Sequence, residues 1–208
     1  MLVGAGGHCK SCIDVVERDG VWQVAGLVDR PARLHEKLLG YEVIATDDEL
    51  QDLVARYDGF LVTVGHTRTA ALRIKLYEQL KKFGALLPTI VSPLAHVSPH
   101  AHVGEGTVVM HFAAVSAAAR VGTNCIINSM ALVEHDAVVG NHTHVSTGAR
   151  VNGECQLGAG VFVGSGAVLL QGVQVAAGTI IGAGAVVTDS ISTKGTYVGC
   201  PARLVPLS

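Results

Sequence analysis

A six-residue repeat, unbroken from residue 91 to residue 192, constrains this chain more than any other feature. The segment divides into 17 consecutive hexads, from VSPLAH to VTDSIS, without an insertion. The first position is always Val, Ile or Leu, and the fifth is Ala in nine hexads and otherwise Thr, Cys, Val or Ile. An amphipathic helix repeats about every 3.6 residues and a strand every two, whereas a strict period of six is typical of a parallel β-helix.

Each hexad is predicted to form one short strand and one corner of a triangular coil. The first and fifth side chains point inward, and the third and fourth residues turn the corner, where Gly tolerates the backbone angles. Three hexads close a coil, so residues 18 apart stack. Apolar residues also occupy outward positions, at Met110, Phe112, Ile126 and Phe162. We therefore expect a closed cyclic homo-oligomer, a homotrimer, to cover them.

Residues 1–87 lack the six-residue period and alternate between predicted strands and helices. We predict strands over 2–3, 21–28, 40–45 and 60–64, and helices over 11–17, 46–57 and 67–83. This alternation indicates a parallel α/β sheet. The chain then divides into an α/β domain over 1–87, a β-helix over 88–192 and a C-terminal flap over 193–208.

Ligands of an open α/β sheet bind at the carboxyl ends of its strands. Those ends are predicted at Gly6–His8, Asp29–Arg30 and Gly65–His66. The turn Gly4-Ala5-Gly6-Gly7 suits either a phosphate held by backbone N–H groups at a helix N-terminus or merely a tight turn, because Cys9 replaces the third Gly of a full dinucleotide fingerprint. Asp29 favours a nucleotide, since its carboxylate can meet a ribose or a base.

Composition excludes several classes of function. The net charge is −2 and aromatic residues make up 4% of the chain, which argues against a nucleic-acid surface. The sequence contains no run of 18 apolar residues, so no membrane span is predicted. The start MLVGAGGHCK lacks the basic n-region and cleavage site of a signal peptide, so we expect a cytoplasmic location. The five cysteines are odd in number and scattered, which suits a reducing compartment. Cys9 and Cys12 form a CxxC without the second pair that a zinc site needs.

Two histidines are candidates for chemistry. His135 and Asp136 fall on a corner, and the small stack neighbours Ala117 and Gly153 leave a cleft around the imidazole. His144 points outward from a flat face on the opposite side of the same prism. The two histidines are therefore predicted to meet only across a subunit interface. The remaining histidines of the β-helix are interpreted as solvated or packing residues: His96, His100, His102, His111 and His142.

A trough of small residues is predicted along one corner of the coils. It is formed by two ladders with an 18-residue spacing, Asn128-Ser146-Gly164-Gly182 and Ser129-Thr147-Ser165-Ala183. Its exposed backbone N–H and C=O groups suit an extended pantetheine arm. Gly164 and Gly182 are predicted cofactor-binding residues for this reason.

Four motifs together resemble the bacterial nucleotide-sugar acetyltransferases. They are the GAGGH start, the Val-Asp end of the second strand, the segment NSxxxVEHDxxVGxxxHVSTGAxVNG and the closing VGCPARLV. The family includes the bacillosamine- and perosamine-pathway N-acetyltransferases and the sialic-acid O-acetyltransferases. The resemblance implies a Rossmann-like nucleotide-sugar domain, a left-handed parallel β-helix, a homotrimer, and acetyl-CoA bound between subunits as co-substrate with no metal.

The resemblance also implies roles for individual residues. His135 matches the catalytic base and Asp136 the acidic residue that raises its basicity, although Asp136 is shorter than the Glu of some relatives. His144, Ser165 and Ala183 match acetyl-CoA contacts. The sugar-nucleotide pocket matches Gly6, Gly7, His8, Asp29, Arg30 and Gly65.

The resulting prediction is transfer of acetyl from acetyl-CoA to the 4-amino group of a nucleotide-linked 4-amino-4,6-dideoxy sugar, UDP-linked, for surface glycan or glycoprotein synthesis. The first alternative is O-acetylation of a sialic acid by the same fold. The second is a hexapeptide carbonic anhydrase, which would need three histidines at one metal, and the spacing of His135, His142 and His144 is unpromising.

Overall fold

The structure, a computed structural model, describes residues 1–205. It has an N-terminal α/β domain followed by repeated parallel strands that form a β-helix, which confirms the fold class. Within the described residues, every helix is too short and too polar to serve as a bilayer-crossing span.

The N-terminal domain contains a five-stranded sheet with the order β3-β4-β2-β1-β5. Its strands are β1 (Leu2–Val3), β2 (Leu27–Val28), β3 (Lys37–Leu38), β4 (Tyr41–Ala45) and β5 (Leu61–Val62). Its helices are α1 (Gly7–Asp19), α2 (Leu50–Val54) and α3 (Ala71–Lys82), with 3₁₀ turns at Pro31–Arg33 and Asp47–Glu49. All pairs are parallel except the hairpin of β3 and β4.

Several predicted boundaries in this domain were wrong. The second strand is reduced to Leu27–Val28, since residues 21–26 form no strand and Val21 is 75% exposed. Helix α1 begins four residues earlier than predicted, at Gly7, because Gly6 takes up the extended N-cap conformation. Helix α3 begins four residues later, at Ala71, since residues 65–70 form a loop.

The β-helix has one two-residue strand per hexad, so the register follows the repeat. Three parallel sheets form its faces. The first face contains β6 (Ile90–Val91), β9 (Val108–Val109), β12 (Ile126–Ile127), β15 (His144–Val145), β18 (Phe162–Val163) and β21 (Ile180–Ile181). The second contains β7 (His96–Val97), β10 (Ala114–Val115), β13 (Leu132–Val133), β16 (Arg150–Val151), β19 (Val168–Leu169) and β22 (Val186–Val187). The third contains β8 (His102–Val103), β11 (Arg120–Val121), β14 (Val138–Val139), β17 (Gln156–Leu157) and β20 (Gln174–Val175).

The inward positions behave as the repeat predicts. From Val109 to Val187, the first residues of the hexads pair 18 apart and lie in one buried core with the small fifth residues. From Gly106 to Gly184, the fourth position of the corners takes positive φ even where it is not Gly, as at Asp136 (φ 60°) and Glu154 (φ 62°). The closed ladder of backbone hydrogen bonds stabilises these angles.

The N-terminal domain covers the first face of its own β-helix. Met110 and Ile126 are 1% and 0% exposed and pack in a cluster with Ile13 of α1. These two residues therefore need no second subunit to cover them, contrary to the expectation from sequence. Phe112, in contrast, stays 60% exposed.

A buried arginine joins the two domains. Arg73 on α3 is 1% exposed; its Nε donates to the carbonyl oxygen of Asn124 in the β-helix, and its Nη1 donates to those of Val62 and Val64 at the end of β5. Burial lowers the pKa of this guanidinium to about 10, so it remains charged at neutral pH. It fixes the strand end that borders the predicted sugar pocket against a corner of the β-helix.

The C-terminal flap continues the first face and then turns back. Strand β23 (Thr196–Val198) pairs with β21 in parallel and with β24 (Arg203–Leu204) in antiparallel fashion. It closes the last coil over Gly182, where an added Cβ would meet Cγ1 of Val198 at 2.7 Å.

Candidate active site

The strand ends of the N-terminal domain surround one cavity of about 480 Å³. All six residues predicted for the sugar-nucleotide pocket line it: Gly6, Gly7, His8, Asp29, Arg30 and Gly65. Sequence reasoning missed Arg33, Asp47 and Thr63, which line it too. Arg33 could have been found from its spacing, because it follows Asp29 by one helical turn.

The glycine loop leaves open space above the N-terminus of α1. A Cβ added to Gly6 or Gly7 would have no heavy-atom neighbour within 4 Å, and the N-cap residue Gly6 makes no side-chain cap to the helix. Neither Gly has positive φ. The protein itself therefore does not require glycine at these positions, whereas close approach of a phosphate to the backbone would.

Asp29 holds the loop in place. Its Oδ2 accepts a hydrogen bond of 2.6 Å from the backbone N–H of Ala5, and its Oδ1 accepts one of 2.7 Å from the N–H of Arg30. Arg33 donates from Nη1 to the carbonyl oxygen of Ala5. The contact of Asp29 with a ribose or base remains a prediction. Both carboxylate oxygens already accept backbone hydrogen bonds, so a nucleotide would bind to a carboxylate that also holds the loop.

His8 forms the wall of the cavity that faces the β-helix. Its Nε2 lies 3.4 Å from Sγ of Cys12. Burial, together with the charge of Arg73 and the nearby His144, lowers the pKa of His8 to about 3, so the ring is neutral. Burial also raises the pKa of the Cys9 and Cys12 thiols, to about 11 and about 12, which makes both poor nucleophiles.

His135 and Asp136 form a hydrogen-bonded pair on the corner between the second and third faces. His135 Nδ1 lies 2.9 Å from Asp136 Oδ2, and the two side chains are 53% and 58% exposed. The hydrogen bond to Asp136 raises the pKa of His135, and this effect outweighs the lowering by desolvation. The negative charges nearby raise the pKa further; they belong to Asp136, Glu134 and Glu154. Nε2 is thereby left as the site that can accept a proton.

Of the two predicted small neighbours, Gly153 borders this imidazole directly, and Ala117 contacts the adjacent backbone. Asp136 N–H donates to the carbonyl oxygen of Ala117 one coil earlier, and Glu154 N–H donates to that of His135. A Cβ on Gly153 would lie 2.7 Å from Cε1 and 2.8 Å from Nε2 of His135. Glycine at 153 therefore makes the room in which the ring lies.

The predicted trough lies on the corner between the first and second faces. Ser165 and Ala183 are exposed there, and Ser146 and Ser165 share a hydrogen bond of 3.0 Å between their hydroxyls. Gly164 is buried, and its absent Cβ would lie 2.5 Å from the backbone N of Ala183. Coil packing alone thus accounts for Gly164, as the flap does for Gly182, while Ser165 and Ala183 remain available for a ligand.

His144 points outward from the first face but is covered by the N-terminal domain of its own chain. It is 6% exposed and packs against the rings of His66 and Phe162, at centroid distances of 5.5 and 5.2 Å. Its Nδ1–H donates to the carbonyl oxygen of His66 at 2.8 Å, and its Nε2 accepts from Nδ2 of Asn128 at 3.2 Å. Burial lowers its pKa to about 4.

The structure places His135 and His144 on different parts of the β-helix. His135 lies on a corner away from the N-terminal domain, and His144 lies on the face beneath it. Within one chain, His135 therefore lies apart from the predicted sugar-nucleotide pocket. Nor do His135, His142 and His144 converge: across residues 1–205 no group of three His, Cys, Asp or Glu has an arrangement suited to a metal ion.

Comparison with known families gives two matches along the chain. Residues 1–80 match the model described as the PglD N-terminal domain, and residues 154–189 match that of the bacterial transferase hexapeptide repeats. No curated protein matches the chain in sequence.

Solved structures resemble the chain over nearly its whole length. The acetyltransferase domain of PglB from Neisseria gonorrhoeae, in complex with acetyl coenzyme A, is 31% identical with a TM-score of 0.90, over 98% of this chain and 97% of that one. PerB from Caulobacter crescentus, in complex with CoA and GDP-perosamine, is 32% identical with a TM-score of 0.91, over 99% and 96%. WeeI from Acinetobacter baumannii is 26% identical with a TM-score of 0.86, over 98% of both chains.

Proposed function

We propose a specific reaction for this chain. The chain belongs to the hexapeptide-repeat acetyltransferase family of PerB and the PglB acetyltransferase domain, and it is an acetyl-CoA-dependent acetyltransferase. The acceptor is the 4-amino group of a nucleotide-linked 4-amino-4,6-dideoxy sugar. The observation that carries this is the pairing of an open, uncapped glycine loop in one domain with the His135–Asp136 pair in the other.

The proposed chemistry is direct attack of the amine on the thioester. The amine nitrogen forms the new C–N bond to the acetyl carbonyl carbon, and Nε2 of neutral His135 takes the proton that the nitrogen loses. Asp136 stabilises the resulting imidazolium through Nδ1–H. The C–S bond then breaks, and the proton passes to the departing CoA thiolate, so the base returns to its neutral form. Backbone N–H groups along the trough stabilise the oxyanion.

The active site is proposed to be shared within a homotrimer. The sugar pocket, His144, Ser165 and Ala183 come from one chain, and His135 with Asp136 comes from the next. The separation of these groups within one chain supports sharing. Acetyl-CoA would lie along the trough, bordered by Ser165 and Ala183 on one side and the neighbouring His135 on the other.

The nucleotide is proposed to be UDP, on the resemblance to the bacillosamine-pathway enzymes. PerB holds GDP-perosamine, so the same fold also accepts a purine nucleotide. Release of the CoA thiol, followed with a thiol reagent against UDP-, GDP- and dTDP-linked 4-amino sugars and free sialic acid, identifies the acceptor. Turnover of free sialic acid alone would overturn the N-acetyltransferase proposal in favour of O-acetylation.

Mixing two variants that are each inactive at a low sugar-nucleotide concentration tests the shared site. Gly7→Val places a side chain where the phosphates would approach but meets no protein atom, so it should fold normally and raise the KM for the sugar nucleotide far more than that for acetyl-CoA. His135→Ala removes the base. Trimers reassembled from both variants contain some interfaces with both parts intact and should regain activity. No recovery after subunit exchange verified by mass spectrometry would place the whole site in one chain.

A further inference from the structure

A cavity of about 730 Å³ lies outside the predicted acetyl-transfer site. It runs along the corner between the third and first faces, beside Gly160 and Gly178. The start of α3 forms one wall and the C-terminal flap another. The predicted trough lies at the opposite edge of the first face, and loop 65–70 separates the cavity from the sugar-nucleotide pocket. A volume of this size is typical of small-molecule sites.

The charged side chains around this cavity are both cationic. Arg68 and Lys194 line it from opposite sides, and the lining contributed by residues 1–205 includes no Asp or Glu. Neither cation has a carboxylate within salt-bridge distance in that part of the chain. Helix α3 adds its positive end, because its first turn has no acidic residue, although Oγ1 of Thr69 already accepts a hydrogen bond of 3.2 Å from the N–H of Ala71.

His142 contributes a third donor. Asn124 Nδ2 donates to the carbonyl oxygen of Arg73 and, at 2.9 Å, faces Nδ1 of His142. An amide nitrogen is a donor only, so Nδ1 must accept, and the neutral ring therefore carries its proton on Nε2. His142 lines the cavity and is half-buried. Its neutral form is favoured, since burial lowers its pKa.

The remaining walls are apolar. Ile74 of α3, Ile180 of β21 and Leu204 of β24 provide them, together with the methyl group of Ala71. Leu204 is 52% exposed although it faces this space. A site with cations at its rim and aliphatic side chains along its walls is complementary to an anion that carries an apolar chain.

We propose that this cavity is a second ligand site, separate from acetyl transfer, which binds a small amphiphile with a phosphate or carboxylate head group. The head group contacts Arg68, Lys194 and His142, and the aliphatic chain lies against Ile74, Ile180 and Leu204. Because both α3 and the flap form walls, the ligand joins the N-terminal domain to the end of the β-helix.

Isothermal titration of the full-length protein with octyl phosphate tests the proposal, with octanoate, inorganic phosphate and octanol as comparison probes. Octyl phosphate or octanoate should bind at least about tenfold more tightly than either inorganic phosphate or octanol, since each fragment keeps only half of the contacts. Whichever of the first two binds better identifies the head group. If octanol bound as tightly as octyl phosphate and octanoate, the proposed anion site would be overturned. If inorganic phosphate bound as tightly as octyl phosphate, the proposed contact of an aliphatic chain with the apolar walls would be excluded.

Variants locate the binding. Arg68→Gln and Lys194→Gln should each weaken octyl phosphate by about tenfold, the usual cost of one charge-assisted hydrogen bond. Ala71→Leu should abolish binding, because it fills the cavity from an exposed helical position. Lys82→Gln, at the far end of the same helix, is the matched control and should bind like the wild type, as should protein saturated with CoA. Unchanged affinity in all three cavity variants, or displacement by CoA, would overturn the separate site.

Discussion

His135 and His144 lie nine residues apart in the same repeating coil, yet the fold gives them opposite properties. His135 is the third residue of its hexad and lies on an open corner, where Asp136 raises its pKa. His144 is the sixth residue of its hexad and lies on a face that the N-terminal domain covers, where burial lowers its pKa to about 4. The comparison shows that the hexad position fixes the direction of a side chain, and the neighbouring domain then decides its chemistry.

The two environments suit different roles. His135 has one ring nitrogen held by a carboxylate and the other open, as a proton acceptor requires. Both nitrogens of His144 are engaged, by the His66 carbonyl and the Asn128 amide. A contact between His144 and acetyl-CoA, which the family resemblance implies, would therefore require one of these hydrogen bonds to open or the ring to touch the ligand through carbon.

Removal of the exposed histidine should have the largest effect on turnover. His135→Ala is expected to lower kcat by about 10²–10⁴-fold with both KM values near those of the wild type, because a general base acts in the transition state and not in binding. Steady-state kinetics at saturating sugar nucleotide measures this. His100→Ala removes an exposed histidine from an equivalent corner and should leave kcat unchanged. A loss confined to KM would show that His135 binds substrate.

Displacement of the same ring without its removal should cost somewhat less. In Gly153→Ala the new methyl group would lie within 3 Å of the His135 imidazole, and the exposed ring must swing away. We expect kcat to fall by about 10²-fold, the usual cost of a misplacement near 1 Å. The melting temperature should stay close to that of the wild type, since the ring is free to move into solvent. A normal kcat would mean that the ring position shown here is not the catalytic one.

The sequence predicted the β-helix far better than the N-terminal domain. A residue such as Val145 meets the same inward environment in every coil, so one hexad predicts the next. The start of β2 at Leu27 and the start of α3 at Ala71 depend on packing between distant segments. A local sequence pattern does not report such packing. The cover over His144 and the burial of Ile126 were missed for the same reason: the sixth position points outward in every hexad, but only contacts with α1 and loop 65–70 decide whether it meets solvent.

The buried histidine should be visible in acid stability. With a folded-state pKa of about 4 and an unfolded value near 6.5, the unfolded chain binds more protons between these limits, so stability falls as pH drops through that window. His144→Gln removes this titration. Between pH 7 and 4.5, the variant should lose about 2 kcal/mol less unfolding free energy than the wild type.

Urea melts at the two pH values give this difference. Each protein is compared with itself at the two pH values, so any pH-independent loss of unfolding free energy caused by the substitution cancels. His96→Gln, at an exposed position, is the control and should preserve the wild-type pH dependence. Identical dependence in His144→Gln and the wild type would show that His144 is not held neutral in the folded protein.

The smallest effect is expected from the partner of the exposed histidine. Asp136→Asn keeps an oxygen that can accept from Nδ1–H, so the ring stays oriented and kcat at the optimum should fall by less than the roughly 10²-fold expected of Gly153→Ala. The charge is lost, however, and with it the main cause of the raised His135 pKa. A general base works in its neutral form, so the wild-type acid limb of kcat should lie above the ordinary histidine value of about 6.5. In Asp136→Asn that limb should move to lower pH, and the variant should retain a larger share of its own maximum in mildly acidic buffer.

Asp136→Glu restores the charge and should return the limb towards its wild-type position. An acid limb that Asp136→Asn leaves in place would separate the titrating group from His135, and the base would then have to be sought elsewhere at the subunit interface.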